Sequence, residues 1–144
     1  VSAVDWARFP LFADLGEREL AILADVVEEQ ALRAGEVLCL EGSEADGVYL
    51  LVEGALDCTR DGVADLPRIE APAALGLAAL ARSGNREASL KAAGPSRVLL
   101  LTRTGFHRFA QDAPQAAVRV LEAAVRDLGG TLHASIGPQL APKP

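Results

Sequence analysis

The sequence predicts a mainly β domain, an antiparallel sandwich or roll with helices at both ends. Three observations predict it. Short apolar runs alternate with glycine-centred turns from about Gln30 to Thr102. Apolar residues fall at helical spacing before Gln30 and again after Thr104. With 144 residues, half of them hydrophobic, the chain supplies one core and one domain, assigned to residues 1–136 with a tail or linker at 137–144.

The elements follow in order. Asp5 to Phe9 read as a short helical turn stopped by Pro10, and Asp14-Leu15-Gly16-Glu17 opens a helix whose early acidic residues favour the positive end of its dipole. Leu20, Leu23, Ala24 and Val27 share one face of it. Strand-like runs come next at Ala31-Leu32, Val37 to Leu40, Val48 to Val52 and Ala55 to Thr59. The glycines between them, at 35, 42, 54 and 62, suit tight corners that need positive φ. Leu75 to Leu80 reads as a short helical turn, Ser83-Gly84-Asn85 as a loop, and Ala88 to Ala92 and Arg97 to Thr102 as strands. The run Val98-Leu99-Leu100-Leu101 is that of a strand buried on both faces. Two helices close the chain, Thr104 to Gln111 and, after a break at Pro114, about Gln115 to Ala134.

Composition excludes several function classes. A net charge of -6 and a pI near 4.9 oppose duplex nucleic acid as the main partner, since phosphate neutralisation dominates that affinity. Aromatics at 4% leave few stacking platforms for single strands. No apolar stretch approaches the ~20 residues that span a bilayer, and no signal peptide is recognisable, so direct membrane contact is not expected and the location expected is cytoplasmic. A first residue of Val1 rather than Met suits a fragment or a processed product. Cys39 and Cys58 form no CxxC pair and read as small buried hydrophobes rather than a disulfide. His107 and His133 stand without thiolate or HExxH partners, so no metal site is expected. There is no GxSxG frame, P-loop or GxGxxG, and no catalytic residue is assigned; an enzyme is not expected.

The order helix, short strands interrupted by a small helix, then two helices resembles the cyclic-nucleotide-binding domain of bacterial regulators, kinase regulatory subunits and gated channels. The resemblance covers about residues 8 to 134. It rests on Phe12-Ala13-Asp14-Leu15, on Leu32-Arg33-Ala34-Gly35-Glu36-Val37-Leu38, and on the stretch from Glu41-Gly42-Ser43 through Asp46-Gly47-Val48-Tyr49 to Glu53-Gly54. It implies an antiparallel β-roll or jelly roll (a double-stranded β-helix) with one N-terminal and two C-terminal helices. It also implies a phosphate-binding cassette, Phe-Gly-Glu followed by Arg-x-Ala-Ser or Arg-x-Ala-Thr. In such a cassette the glutamate accepts from the ribose hydroxyl and the arginine pairs with the cyclic phosphate.

The matching residues are Leu75-Gly76-Leu77-Ala78 and then Arg86-Glu87-Ala88-Ser89. The second half fits: Arg86 offers planar donors to an oxyanion, and Ala88 and Ser89 are small. The first half departs, because Leu77 stands at the glutamate's place and Leu75 at the aromatic's. Leucine accepts no hydrogen bond, and a buried hydroxyl left unpaired costs about 1–3 kcal/mol. At ~1.4 kcal/mol per tenfold, cyclic-nucleotide affinity is expected to fall by one decade or more. Glu70 and Glu87 are the nearest carboxylates, with Glu87 expected to face away from Arg86. Arg86 is open to two readings, ligand contact or an internal salt bridge that fastens its loop. Ser89 likewise reads as a phosphate donor or as a small strand residue.

Charge distribution adds to this. Residues 1–81 carry 5 basic and 16 acidic side chains, whereas residues 82–108 carry six basic residues against Glu87 alone. A local positive field suits a small anionic ligand, although solvated strand and helix faces are the plainer account of these residues other than Arg86. On the last helix, Val118, Leu121, Val125, Leu128 and Leu132 recur at spacings of three and four. That narrow stripe suits a two-helix seam, hence a homodimer, or packing on the chain's own roll. Gly129-Gly130 marks a place for a kink or an early end.

The expected function is a non-catalytic regulatory or sensor module, attached to an effector domain in a longer protein. It would bind cAMP, cGMP or another phosphate-bearing ligand weakly through Arg86, with no further cofactor. The alternative is a degenerate relative that binds no nucleotide and serves in protein interaction or dimerisation.

Overall fold

The structure is a computed structural model that describes residues 3–140, with side chains described for residues 3–127. Short 3-10 turns at Trp6–Arg8 and Pro10–Phe12 lead into helix α1, Glu17–Ala24. The Glu19 carboxylate accepts the N–H of Gly16 at 2.9 Å, which satisfies one of the free donors at the start of α1. Ten strands follow: β1 Glu28–Leu32, β2 Val37–Cys39, β3 Glu44–Ala45, β4 Gly47–Glu53, β5 Ala55–Thr59, β6 Ile69–Glu70, β7 Ala73–Leu75, β8 Gly84–Asn85, β9 Ser89–Ala92 and β10 Ser96–Thr102. A 3-10 turn at Leu77–Leu80 separates β7 from β8. Helices α2, Arg103–Asp112, and α3, Pro114–Leu140, close the chain. The Thr102 hydroxyl caps α2 by accepting from the Gly105 N–H at 2.9 Å, and Pro114 opens α3, where its missing N–H breaks no intrahelical bond.

The strands form two four-stranded antiparallel sheets, β1-β10-β4-β7 and β2-β9-β5-β6, with a small β3-β8 ladder. This is the antiparallel β-roll with one N-terminal and two C-terminal helices that the sequence implies. Strands β4 and β10 are buried on both sides, and their alternation shows why. Val48, Leu50, Val52, Leu99 and Leu101 point into a core shared with the helices, whereas Tyr49, Leu51, Val98 and Leu100 point into the roll. A continuous apolar run is thus two alternating faces, each with its own partner.

Several sequence expectations need correction. Leu75 does not belong to the helical turn; it ends β7, paired with Tyr49 at the edge of the first sheet. Gly84-Asn85 is not only a loop, because it pairs with Glu44-Ala45. The strand expected from Ala88 begins at Ser89, so Arg86 and Glu87 precede it. Each of these pairings is short and set by what lies across the roll, which local propensity does not report. Helix α3 also continues through Gly129-Gly130 to Leu140, so residues 137–140 of the expected tail are helical; residues 141–144 lie outside the described part. The glycines cost roughly 1 kcal/mol each and do not end a helix of this length.

The terminal helix places its described residues clearly. Ala116, Ala117, Val120 and Ala124 are buried against the helical core, while Val118, Leu121 and Val125 are exposed. Those three members of the apolar stripe therefore do not pack on the chain's own roll. Leu128 and Leu132 lie outside the described side chains. Arg119 on α3 reaches back to both carboxylate oxygens of Glu19 at 2.8 and 3.1 Å and ties α3 to α1.

Candidate functional site

The roll encloses a cavity of about 510 Å³, within the size range of small-molecule sites. Gly76, Leu77, Ala78, Arg86, Glu87 and Ala88 all line it, so the structure brings the two halves of the sequence-identified cassette together. Ser89 does not line it. Its Oγ instead accepts the Glu41 N–H at 2.8 Å, a bond that holds the turn before β3.

Arg86 is the centre of the arrangement. Its backbone is fixed by its neighbours: the Arg86 N–H donates to Ser43 O at 2.7 Å, and the Gly42 N–H donates to Arg86 O at 2.8 Å. The Glu41-Gly42-Ser43 turn, a marker of fold in the sequence, thus seats the arginine. The side chain runs inward and is 8% exposed. Its guanidinium carbon lies 4.4 Å from the centroid of the Tyr49 ring, where the ring's negative face attracts a cation. The nearest acidic oxygen, Asp46 Oδ1, is 3.5 Å from Nη2. That is an ion pair but too long for a charge-assisted hydrogen bond, and Nη2 is buried with no hydrogen-bond partner. The two readings of Arg86 are therefore joined: an internal acid stands nearby, yet a buried donor is left unmet.

Gly76 explains how the guanidinium fits. Its φ is +81°, and a Cβ built on it would lie 2.6 Å from Arg86 Nη1. Any side chain there would occupy the arginine's space as well as strain the backbone. Leu77 follows at once and is 5% exposed, packed in the core shared with the helices. It stands between the main cavity and a second one of about 250 Å³ beneath the N-terminal turns. An apolar side chain satisfies that double wall, and no acidic side chain replaces it: Glu87 and Asp127 line the main cavity but are exposed, and Glu70 lies exposed on β6.

Two of the five other basic residues of the 82–108 stretch are engaged by protein groups, and Arg82 lines the cavity as an exposed residue. Arg97 pairs with Glu29 and Glu53 and donates to the Ala3 carbonyl, and Arg103 donates to the Ser83 hydroxyl at 3.0 Å. Sequence reasoning missed Tyr49 and Asp46 as partners of Arg86; both belong to the stretch that marks the fold, but neither belongs to the cassette.

Cys39 and Cys58 are free thiols in the cavity wall. Both pair in register with Leu90, from the strands on either side of β9. Two strand spacings put them about 10 Å apart, beyond the reach of a disulfide. Burial pushes both thiols and the Tyr49 phenol up, with Arg86 opposing the rise at Cys39 and Tyr49. The sign follows from linkage. Below the ordinary thiol value of 9.0 these groups are neutral whether the chain is folded or not. At higher pH the unfolded chain ionises first, so stability declines as pH rises through the higher folded values. Urea midpoints are expected to fall above pH 9, and a Cys39→Ala, Cys58→Ala variant should show a shallower decline. An unchanged slope would remove the thiols from the cause.

Among the described residues no group of His, Cys, Asp and Glu is placed to hold a metal ion, and no helix is long and apolar enough to cross a membrane.

Comparison with known proteins matches this geometry. The family model for the cyclic nucleotide-binding domain matches residues 29–113, which include the cassette and every lining residue of the main cavity except Asp127. The cAMP-dependent protein kinase regulatory subunit of Eremothecium gossypii is 29% identical over 99 residues, 69% of this chain and 22% of that protein. The chain thus spans about a fifth of that relative's length. The N-terminal domain of a transcriptional regulator from Streptomyces coelicolor A3(2) is similar with a TM-score of 0.77 at 28% identity, over 88% of this chain and 93% of that one. The catabolite activator protein of Thermus thermophilus shares the fold, with a TM-score of 0.73 at 20% identity over 89% of this chain and 62% of that one. The matched segment, the roll and the seated arginine lead to one conclusion: the chain belongs to the cyclic nucleotide-binding domain family.

Proposed function

We propose that this domain is a non-catalytic sensor that takes a small phosphate-bearing anion at Arg86 and binds cyclic nucleotides only weakly. The observation that carries this reading is a guanidinium with an unmet buried donor, Nη2, on an arginine that lines a cavity of ligand size. An oxyanion there would supply the missing acceptor and relieve a cost of about 1–3 kcal/mol. The weakness follows from Leu77, which gives a ribose hydroxyl nothing to bond. The regulatory role, and attachment to an effector in a longer protein, rest on likeness to kinase regulatory subunits and a transcriptional regulator. Inorganic phosphate in the millimolar range is expected to raise the melting temperature of the parent and not of Arg86→Ala. Equal rises in both would remove Arg86 from the reading.

A second reading, self-association, is favoured by a different observation. Val118, Leu121 and Val125 are 53, 37 and 67% exposed on one side of α3 while its alanine face is buried. We read these as half of a two-helix seam that a second copy completes. Light scattering should give a dimer for the parent and a monomer for Leu121→Arg. A monomeric parent contradicts the seam.

A further inference from the structure

The cavity is uneven in its chemistry. At one pole lies the Arg86 guanidinium, pressed against Gly76 and stacked on Tyr49. Leu75 and Leu77 flank Gly76 in the lining, and the strands of the second sheet add Cys58, Ile69 and Leu90. The thiol of Cys39 is already directed to the Ala88 carbonyl at 3.7 Å. Both carboxylates of the lining, Glu87 and Asp127, are exposed and so serve the cavity's open side rather than its depth. Ser83 and Asn85, the other polar side chains of the lining besides Tyr49 and Arg82, are exposed as well. A hydroxyl-bearing body seated between Leu77, Ile69, Leu75 and Leu90 would therefore surrender its water and gain no carboxylate acceptor, whereas an apolar body gains by leaving water.

We propose that the occupant carries its oxyanion on an apolar body without hydroxyl groups, of the kind an aryl phosphate presents. This rests on the reading of Arg86 as the anion's partner and adds the chemistry of the rest of the ligand. Removal of a sugar hydroxyl should then cost nothing here, although an acidic acceptor in the same place would make it costly.

The test is calorimetric titration of the parent domain with four probes: inorganic phosphate, 2-naphthyl phosphate, cAMP and 2′-deoxy-cAMP. Naphthyl phosphate is expected to bind at least tenfold more tightly than inorganic phosphate, and 2′-deoxy-cAMP at least as tightly as cAMP. Ile69→Ser, a change at a two-residue edge strand, should lower naphthyl phosphate affinity several-fold and leave inorganic phosphate unaffected. If naphthyl phosphate binds no better than inorganic phosphate, or cAMP binds more tightly than its deoxy analogue, the proposal is overturned while the Arg86 reading stands. If none of the four binds, the Arg86 reading falls and takes this proposal with it.

Discussion

Replacing Gly76 by alanine is expected to destabilise the domain by about 1–3 kcal/mol and to weaken anion binding by tenfold or more. Two costs meet at this residue. At φ +81° a side chain strains the backbone, and its Cβ would fall 2.6 Å from Arg86 Nη1. A flexible, solvated arginine would swing aside at little cost. Arg86 is buried, stacked on Tyr49 and held by both backbone bonds to Gly42 and Ser43, so its guanidinium has to leave the seat in which it meets the cavity. Urea denaturation and phosphate titration of the same sample separate the two costs. Unchanged phosphate affinity in a destabilised, folded Gly76→Ala domain would show that Arg86 is not held where the anion binds.

The fold was largely legible because its strongest signals are local. The four turn glycines read from the sequence, at 35, 42, 54 and 62, all adopt positive φ. The apolar run of β10 declared a strand buried on both faces, and Val98 to Leu101 are all at least nine-tenths buried; Val48 to Val52, read only as a strand, is buried to the same degree. Pairings of two or three residues, such as β3 with β8, were not legible, since nothing in Glu44-Ala45 or Gly84-Asn85 favours a strand without the other. The same limit applies to the cassette. Its residue types named Gly76 and Arg86, but sequence left open whether Arg86 faces a ligand or an acid. Tyr49 and Asp46, 37 and 40 residues away, are brought to it only by closure of the roll. Ser89 resembled a phosphate donor because of its place in the motif, while its hydroxyl serves the turn at Glu41.

The second large effect is expected at Leu77. Its replacement by glutamate restores the acceptor that the family cassette supplies, at the cost of burying a carboxylate in a wall now filled by an aliphatic side chain. Loss of that packing should destabilise the domain by about 2–4 kcal/mol. A carboxylate that accepts from a ribose hydroxyl contributes about 1.5–3 kcal/mol, so affinity for cAMP should rise by roughly ten- to a hundredfold. Stability and affinity therefore move in opposite directions, which a general effect on folding would not produce. In Leu77→Gln, which has the same shape but no charge, the gain should be smaller.

The most direct test of the account is calorimetric titration with cAMP of the parent, Leu77→Glu and Arg86→Ala. The account predicts weak or undetectable binding by the parent, a measurable gain in Leu77→Glu and none in Arg86→Ala. Micromolar or tighter binding by the parent, abolished by Arg86→Ala, would contradict it, since the sugar would then be held by a group other than the one Leu77 has displaced.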